Sequence, residues 1–323
     1  MLIPPRRTAL VLLSLVSLLG ACGGGGGDST PATPSVIKPV PDTVATPAVP
    51  VTTPVAVGDT PPVITPVTTP VTTPVSPSAA GTPWKPALTD TWQWQLTGTL
   101  NTAYDVKVYD IDLYDTPAAT ILALQNSGKK VLCYFSAGSS ENWRADFASF
   151  AAADMGNALD GWAGERWLDT RSGNVRTIMQ ARLDLAKSKG CDGVEPDNVD
   201  GYGNSTGFVL SAATQLDYNR FLASAAHSRG LAVALKNDVA QVADLVGHFD
   251  MAINEQCHQY GECAGYAVFT SAGKPVFNAE YAAIYKSEGT DRDSLCAESK
   301  RLGLKTLVLS VELNDSDRFS CDE

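Results

Sequence analysis

The chain has 323 residues, of which 35 are acidic and 24 are basic, so its formal net charge is −11. This negative excess repels nucleic acids and anionic lipid surfaces, which excludes a role in tracking phosphate groups and favours a neutral or cationic partner. Residues 1–81 hold equal numbers of basic and acidic side chains, so the excess belongs to residues 82–323. That segment is long enough to bury one large core as a single domain.

In residues 1–22, two arginines precede an apolar run, and the segment ends in Leu-Gly-Ala-Cys. This pattern is typical of a secretory signal peptide, and the run is too short for a membrane-spanning helix. The ending is similar to the box of bacterial lipoproteins, in which the cysteine is lipidated after cleavage. We therefore expect lipidation of Cys22 and an exported protein anchored to a bacterial membrane, at the cell surface or in the periplasm. An ordinary signal peptide with an incidental cysteine is the alternative.

Residues 23–81 start with five glycines and continue with repeated units such as TPVTTPVTTPVSP. Proline removes backbone donors and favours extended polyproline conformations, and the tract has no helical period. It therefore predicts a semi-rigid stalk between the membrane anchor and the domain. An O-glycosylated tract is the alternative, and it would also hold the domain away from the membrane.

Eight strand-like apolar runs follow along residues 82–323, at 91–96, 106–113, 129–138, 191–198, 231–238, 249–256, 275–281 and 304–310. Helical spacing of apolar residues lies between most of them, at 116–128, 175–189, 215–229 and 291–301. Each of these helices ends in basic residues or a glycine before a new strand, which is typical of a helix-to-strand junction. The pattern predicts a (β/α)₈ barrel, with a doubly wound open sheet as the alternative. No G-x-G-x-x-G follows the first strand and no P-loop occurs, which counts against the open sheet.

Six cysteines lie in this domain, and an even number in an exported chain indicates disulfide bonds. The expected pairs are Cys257 with Cys263 and Cys296 with Cys321, whereas Cys133 and Cys191 are expected as buried thiols in strands. A zinc site built from Cys257, His258 and Cys263 is an alternative, but no second ligand cluster accompanies it.

Acidic and other polar residues recur at the carboxyl ends of the predicted strands, where a barrel of this kind carries its active site. Along one strand, side chains two residues apart point to the same face, so Glu195 and Asp197 share a face, as do Asp110 and Asp112. Several carboxylates are therefore expected to converge on one concave mouth. The polar strand ends also include Asn198, Lys236, Asn237, Asp238, Glu255 and Tyr281.

Such a mouth can bind a metal, perform acid/base chemistry or bind a hydroxyl-rich ligand. No histidine lies at a strand end, so a metal would need an all-oxygen site, and we expect neither a metal nor a cofactor. Paired carboxylates fit glycoside hydrolysis better, because one acid protonates the leaving oxygen while a second acts as nucleophile or base. Aromatic residues near strand ends, among them Tyr134 and Tyr281, are suited to contact sugar rings.

Seven stretches of the domain resemble glycoside hydrolase family 114, the endo-α-1,4-polygalactosaminidase-like proteins. They are TWQWQLTG, VYDIDLYD, CYFSAGSSENWR, GERWLDTR, GCDGVEPDNVDGYGN, ALKNDVAQV and AINEQCHQY. The resemblance implies a (β/α)₈ barrel that cleaves α-1,4-linked, galactosamine-rich polysaccharide. The resemblance also implies a catalytic pair, an Asp at the end of the fourth strand and a Glu at the end of the sixth. In this sequence these are Asp197 and Glu255.

From this resemblance we expect Asp197 to be the nucleophile and Glu255 the general acid/base, although their spacing does not by itself favour Asp197 over Glu195. Lys236 is expected to pair with an acid and keep it ionised. A monomeric enzyme is expected, and a non-catalytic, cell-surface carbohydrate-binding module on the same barrel is the alternative. The expected substrate-binding residues are Asp110, Asp112, Tyr134, Glu195, Asn198, Asp200, Lys236, Asn237, Asp238 and Tyr281.

Overall fold

The computed structural model describes residues 82–323, so the predicted signal peptide, the lipidation of Cys22 and the linker lie outside the described residues. Eight parallel strands form one curled sheet in chain order. All eight coincide with the runs predicted from the sequence. They are β1 (Trp92–Gln95), β2 (Val108–Asp112), β3 (Lys130–Ser136), β4 (Gly193–Asp197), β5 (Ala232–Lys236), β6 (Met251–Glu255), β7 (Val276–Glu280) and β8 (Leu304–Leu309).

The C-terminal segment brings the first and last parallel strands together. The Trp92 indole N–H donates to the carbonyl oxygen of Lys305 on β8 at 2.9 Å. A short strand, Arg318–Ser320, pairs antiparallel with β8, and the Arg318 guanidinium donates to the Gln93 side chain on β1 at 2.5 Å. These side-chain contacts link β1 to β8 and to the C-terminal strand, and the curled sheet with its helices is consistent with the predicted (β/α)₈ barrel.

Helices cover the outside of the sheet, and the four predicted from the sequence are present. Ser172 caps α2 (Gly173–Lys189) by accepting hydrogen bonds from the backbone N–H groups of Asn174 and Val175. Gly190 ends α2 and Gly303 ends α8 (Thr290–Leu302), with φ of 88° and 74°, a conformation that glycine adopts without a Cβ clash. Among residues 82–323, no helix has the length and apolar character needed to cross a bilayer. The helices are α1 (Ala118–Asn126), α2 (Gly173–Lys189), α3 (Ala212–His227), α4 (Val242–Leu245), α5 (Cys257–Tyr260), α6 (Ala267–Ser271), α7 (Ala283–Lys286) and α8 (Thr290–Leu302).

A small antiparallel sheet is inserted between β3 and α2. Its strands are Ser139–Glu141, Met155–Ala158 and Glu165–Leu168, with the last of these in the middle. The sequence analysis predicts no strands here, because each strand is three or four residues long and too short to show an apolar period. We call residues 139–168 the insertion.

Side chains alternate between the barrel interior and the layer under the helices, and this alternation places the polar mouth. On β5, Ala232 and Ala234 belong to the apolar cluster inside the barrel, and Lys236 follows on the same face. On β6, Ile253 belongs to the same cluster and Glu255 follows it. The inward face therefore changes from apolar to charged at the carboxyl end of the strands.

Three disulfide bonds join the six cysteines of the described domain. Cys257–Cys263 and Cys296–Cys321 confirm the two predicted pairs. The prediction of free thiols at Cys133 and Cys191 is wrong, because these two residues are bonded to each other. Cys133 lies on β3 and Cys191 precedes β4, and the pairing of these neighbouring strands brings the two Cα atoms to 6.1 Å.

We expect the Cys133–Cys191 disulfide to stabilise the domain more than the Cys257–Cys263 disulfide. The first joins residues 58 positions apart and the second joins residues 6 apart, and a longer closed loop removes more entropy from the unfolded chain. Replacing both cysteines of a pair by alanine is expected to lower the free energy of unfolding by about 4 kcal/mol for the first pair and ~2 kcal/mol for the second. Urea unfolding measures both, and an equal or larger loss for Cys257–Cys263 would contradict this ranking.

Candidate active site

The ammonium group of Lys236 lies at the centre of the barrel mouth. Its nitrogen is 3.0 Å from an oxygen of Asp197, 3.1 Å from Glu195 and 3.1 Å from Glu255. The lysine comes from β5, whereas the acids come from the adjacent strands β4 and β6. The structure thus brings together four of the residues predicted for the site, and the expected pairing of Lys236 with an acid is present.

Lys236 is 2% exposed, and its charge depends on these neighbours. Burial alone would lower the pKa of Lys236, but Asp197, Glu195 and Glu255 outweigh it and raise that pKa well above its ordinary value. The ammonium therefore stays charged and lies between the carboxylates, at the position that an all-oxygen metal site would require for its cation. The Lys236 nitrogen also lies 4.6 Å from the centre of the buried Trp94 ring, a cation–π contact.

Asp110 and Glu195 form a carboxyl pair below the ammonium, and both are fully buried. Burial raises the pKa of Asp110 to about 7. Burial and the proximity of Asp110 raise the pKa of Glu195 well above its ordinary value. Two carboxyl groups this close retain one proton between them. With Asp197 and Glu255, the mouth then holds four carboxyl groups and one ammonium.

A tyrosine contacts each of the two predicted catalytic carboxylates. The Tyr134 hydroxyl donates to Asp197 Oδ2 at 3.0 Å, and the Tyr281 hydroxyl donates to Glu255 Oε1 at 2.5 Å. Burial is the larger cause, and the nearby carboxylates the smaller one, that raises the pKa of each phenol well above its ordinary value. Both phenols therefore keep the proton that they donate. The two tyrosines therefore hold the carboxylates in place as hydrogen-bond donors.

Residues with positive φ follow three of the central side chains. Asn198, Asn237 and Gln256 have φ of 61°, 47° and 63°, and they come directly after Asp197, Lys236 and Glu255. The Asn237 side-chain oxygen accepts a hydrogen bond from the backbone N–H of Glu255 at 2.9 Å. The Asn237 amide nitrogen lies 3.5 Å from the Glu255 carboxylate. The chain thus turns sharply at the end of each strand, which keeps the last side chain of the strand at the mouth.

The remaining predicted residues lie at the edge of the site. Asp112 is held by the guanidinium of Arg144, at 3.0 and 2.5 Å, so the structure places it in an ion pair with the insertion. Asp238 is buried and accepts a hydrogen bond from Asn219 of α3. Asp200 lies in the loop after β4, where it contacts Asn204. In these contacts the three carboxylates meet partners other than Lys236.

Sequence reasoning assigns no site role to several residues of the insertion. Glu165 is 7% exposed, and burial raises its pKa to about 7. Trp143 and Trp162 are 54% and 52% exposed, whereas the strand-end Trp94 is buried in the core. The GERWLDTR stretch contains Glu165, but no predicted strand ends there, so the strand-end rule could not find it.

The zinc alternative does not fit the structure. The ligand atoms of Cys257, His258 and Cys263 lie within 4.8 Å of one another, but the two cysteines form a disulfide. Their sulfur atoms are therefore not the thiolates that zinc requires. The disulfide instead closes the short loop that follows Glu255 and contains α5.

We expect Lys236→Met to destabilise the folded domain by about 3–5 kcal/mol near neutral pH, because it leaves buried carboxylates without their cation. A carboxyl group whose pKa is raised by folding binds its proton more tightly in the folded state, so its contribution to stability decreases as pH rises. The raised pKa of Asp110 places this decrease between about pH 4 and pH 7. The loss in the variant is therefore expected to be smaller at the acidic end of this window.

Urea unfolding across that pH window measures the effect. Lys286→Met is the matched control, because Lys286 forms a partly exposed ion pair with Asp317, and its loss is expected to cost less than about 1 kcal/mol. A loss for Lys236→Met that does not change with pH would show that the acids do not depend on this ammonium.

Three comparisons relate this geometry to known proteins. The model of glycoside-hydrolase family GH114 matches residues 73–323. The crystal structure of Aspergillus fumigatus Ega3 in complex with galactosamine is similar, with 43% identity, coverage of 74% of this chain and 98% of that chain, and a TM-score of 0.70. The glycoside hydrolase domain of PelA from Pseudomonas aeruginosa has 16% identity, 70% and 97% coverage and a TM-score of 0.55, a likeness of fold alone. No curated protein sequence matches the chain.

The family match covers the whole barrel and every carboxylate around Lys236, and the identity to Ega3 extends over nearly all of that chain. This chain therefore belongs to glycoside-hydrolase family GH114, and it is a glycosidase.

Proposed function

We propose that this glycosidase cleaves α-1,4-linked, galactosamine-containing polysaccharide, with Asp197 as nucleophile and Glu255 as general acid/base. The glycosidase class follows from the family match. The substrate class is supported by Ega3, whose crystal structure holds galactosamine and whose sequence is 43% identical to this chain. The two roles are supported by the geometry of the mouth.

The observation that carries the proposal is the shared contact of Asp197 and Glu255 with one ammonium. Because one oxygen of each acid lies about 3 Å from the same Lys236 nitrogen, these two oxygens are at most about 6 Å apart. Two carboxyl groups ~5–5.5 Å apart are typical of retaining glycosidases, and ~6.5–9.5 Å is typical of inverting ones. The shared lysine therefore favours retention of the anomeric configuration.

In the proposed reaction, the Asp197 carboxylate attacks the anomeric carbon while Glu255 gives a proton to the departing glycosidic oxygen. The bond between that carbon and the leaving oxygen breaks, and a covalent glycosyl–enzyme intermediate forms. Glu255, now ionised, takes a proton from water, and this water attacks the anomeric carbon and releases Asp197. Glu195 is fully buried and contacts the Lys236 ammonium, so its proposed role is to hold the ammonium rather than to react.

The charge of the mouth favours a cationic sugar. With Glu255 protonated, as its role as general acid requires, Asp197 and the Asp110–Glu195 pair with its shared proton still carry more negative charge than the Lys236 ammonium balances. Galactosamine without an acetyl group carries a positive ammonium, which this excess attracts. Deacetylated polymer is therefore the proposed preferred substrate.

We expect Asp197→Asn and Glu255→Gln each to lower kcat by roughly 10²–10⁴-fold or more, because each keeps the shape but removes the reacting charge or proton. Glu195→Gln is expected to lower it less, because Glu195 contacts Lys236 and its proposed place is outside the reacting atoms. Release of reducing ends from galactosamine polymer measures kcat, and NMR of the first product is expected to show the α-anomer.

Circular dichroism and urea unfolding establish that these three variants are folded. Near-normal activity of Asp197→Asn would assign the nucleophile to another acid, with Glu195 as the nearest candidate. A β-anomer as first product would mean inversion, and it would contradict the retaining mechanism while leaving the glycosidase class intact.

We expect deacetylated galactosamine polymer to have a lower KM than the fully acetylated polymer at low salt, and this advantage to shrink as salt rises. Salt screens the attraction between exposed charges, whereas it leaves neutral contacts with the sugar rings almost unchanged. Initial rates on both polymers, with a neutral α-1,4-glucan for comparison, measure the preference. Faster turnover of the acetylated polymer at low salt would contradict the proposed substrate.

A further inference from the structure

A chain of hydrogen bonds runs from Asp197 to a carboxylate of the insertion. The Asn198 amide nitrogen donates to Asp197 Oδ2 at 3.3 Å and to Ser136 Oγ at 2.9 Å. The hydroxyl oxygens of Ser136 and Ser139 are 2.6 Å apart, and Ser139 donates to Glu165 Oε2 at 2.5 Å. The chain thus links the end of β4 through the end of β3 to the middle strand of the insertion.

The number of hydrogen bonds at Ser136 fixes the direction of this chain. Ser136 Oγ accepts from the Asn198 amide and from the backbone N–H of Ser139 at 3.1 Å, which uses both of its lone pairs. Its single proton therefore points to Ser139 Oγ. Ser139, which accepts this proton, gives its own proton to Glu165. This series of hydrogen bonds needs an acceptor at its far end, and Glu165 Oε2 is that acceptor.

The surroundings of Glu165 make a buried carboxylate energetically unfavourable, so packing alone does not explain a glutamate at this position. Its side chain is largely buried. Two nearby acids are Glu141, which lies opposite it on the neighbouring strand of the insertion, and Asp197 of β4. The cation near it is Arg144, whose guanidinium donates instead to Asp112 and Glu141. An apolar residue at this position would avoid the cost of burying a carboxylate, and the hydrogen bond from Ser139 is the contact that an apolar residue would lose.

We propose that Glu165 is a positioning residue of the glycosidase reaction: through Ser139 and Ser136 it orients the Asn198 amide, which in turn orients the Asp197 carboxylate. The proposal rests on the proposed function, in which Asp197 reacts. Glu165 does not touch the substrate in this proposal. It acts because the Asn198 amide can donate to Asp197 and Ser136 together only while Ser136 directs its own proton towards Ser139.

The test compares Glu165→Gln with Glu165→Leu. The glutamine keeps an oxygen that accepts from Ser139, whereas the leucine removes the acceptor and keeps a similar volume. We expect Glu165→Leu to lower kcat by about 10²-fold with little change of KM, because a small displacement of a reacting group costs rate rather than binding. Glu165→Gln is expected to stay much closer to the wild-type kcat. Asp160→Asn is the matched control, since it removes an exposed carboxylate of the same insertion.

The side-chain amide signal of Asn198 in ¹⁵N-labelled protein gives a readout that does not need activity. We expect it to shift or to exchange faster in Glu165→Leu and to stay near its wild-type position in Glu165→Gln. If Glu165→Leu does not fold, Ser139→Ala breaks the same chain and is expected to give the same loss of kcat and the same change of signal.

Wild-type kcat and an unmoved Asn198 signal in Glu165→Leu would overturn the proposal. So would equal losses of kcat in Glu165→Leu and Glu165→Gln at equal folded fraction, since a carboxylate needed for its charge would give that result. Wild-type protein that does not hydrolyse the polymer would instead contradict the proposed function, and the Asn198 signal would still decide whether the chain orients this amide.

Discussion

The ammonium of Lys236 is the contact on which the chemistry of the barrel mouth depends. Four carboxyl groups meet there, and without a cation their mutual repulsion and burial would protonate them or open the fold. Lys236 contacts Asp197, Glu195 and Glu255 within 3.1 Å, so one buried charge lets the two acids proposed to react sit close together. The proton retained by Asp110 and Glu195 lowers the remaining repulsion. The proposed spacing for retention is thus a consequence of how the charges are balanced.

The barrel supplies this balance through the alternation of side chains along its strands. The inward faces of β4, β5 and β6 end in Asp197, Lys236 and Glu255, and the next residue of each strand has a positive φ. The strands are parallel, and Lys236 lies opposite Ile253, so Glu255 lies two residues further along β6. Three consecutive strand ends thus bring an acid, a base and an acid together around one nitrogen. The apolar interior below them excludes water, which strengthens every interaction at the mouth.

This alternation explains why the sequence predicted the fold and the centre of the site but not its edge. Strand ends and the period of two are local properties, and they are enough to bring Glu195 and Asp197 to one face. The partner of Asp112 is Arg144, and the partner of Cys133 is Cys191, 58 positions away. These pairings depend on how the insertion and the neighbouring strands pack, and no local pattern encodes them. The choice of Asp197 over Glu195 came from the family resemblance, and the burial of Glu195 now gives it a physical reason.

The insertion adds a second support to the same carboxylate. Asp197 is held from the barrel by Lys236 and Tyr134, and from outside the barrel by Asn198, whose amide is anchored through two serines to Glu165. The barrel contacts hold both carboxylate oxygens of Asp197 in position, because Lys236 and Tyr134 come from strands. The series of hydrogen bonds from Glu165 adds a second donor to Oδ2, the oxygen that Tyr134 also contacts. Asp197 is the proposed nucleophile, and in this fold its carboxylate is held both by the strands and by the insertion.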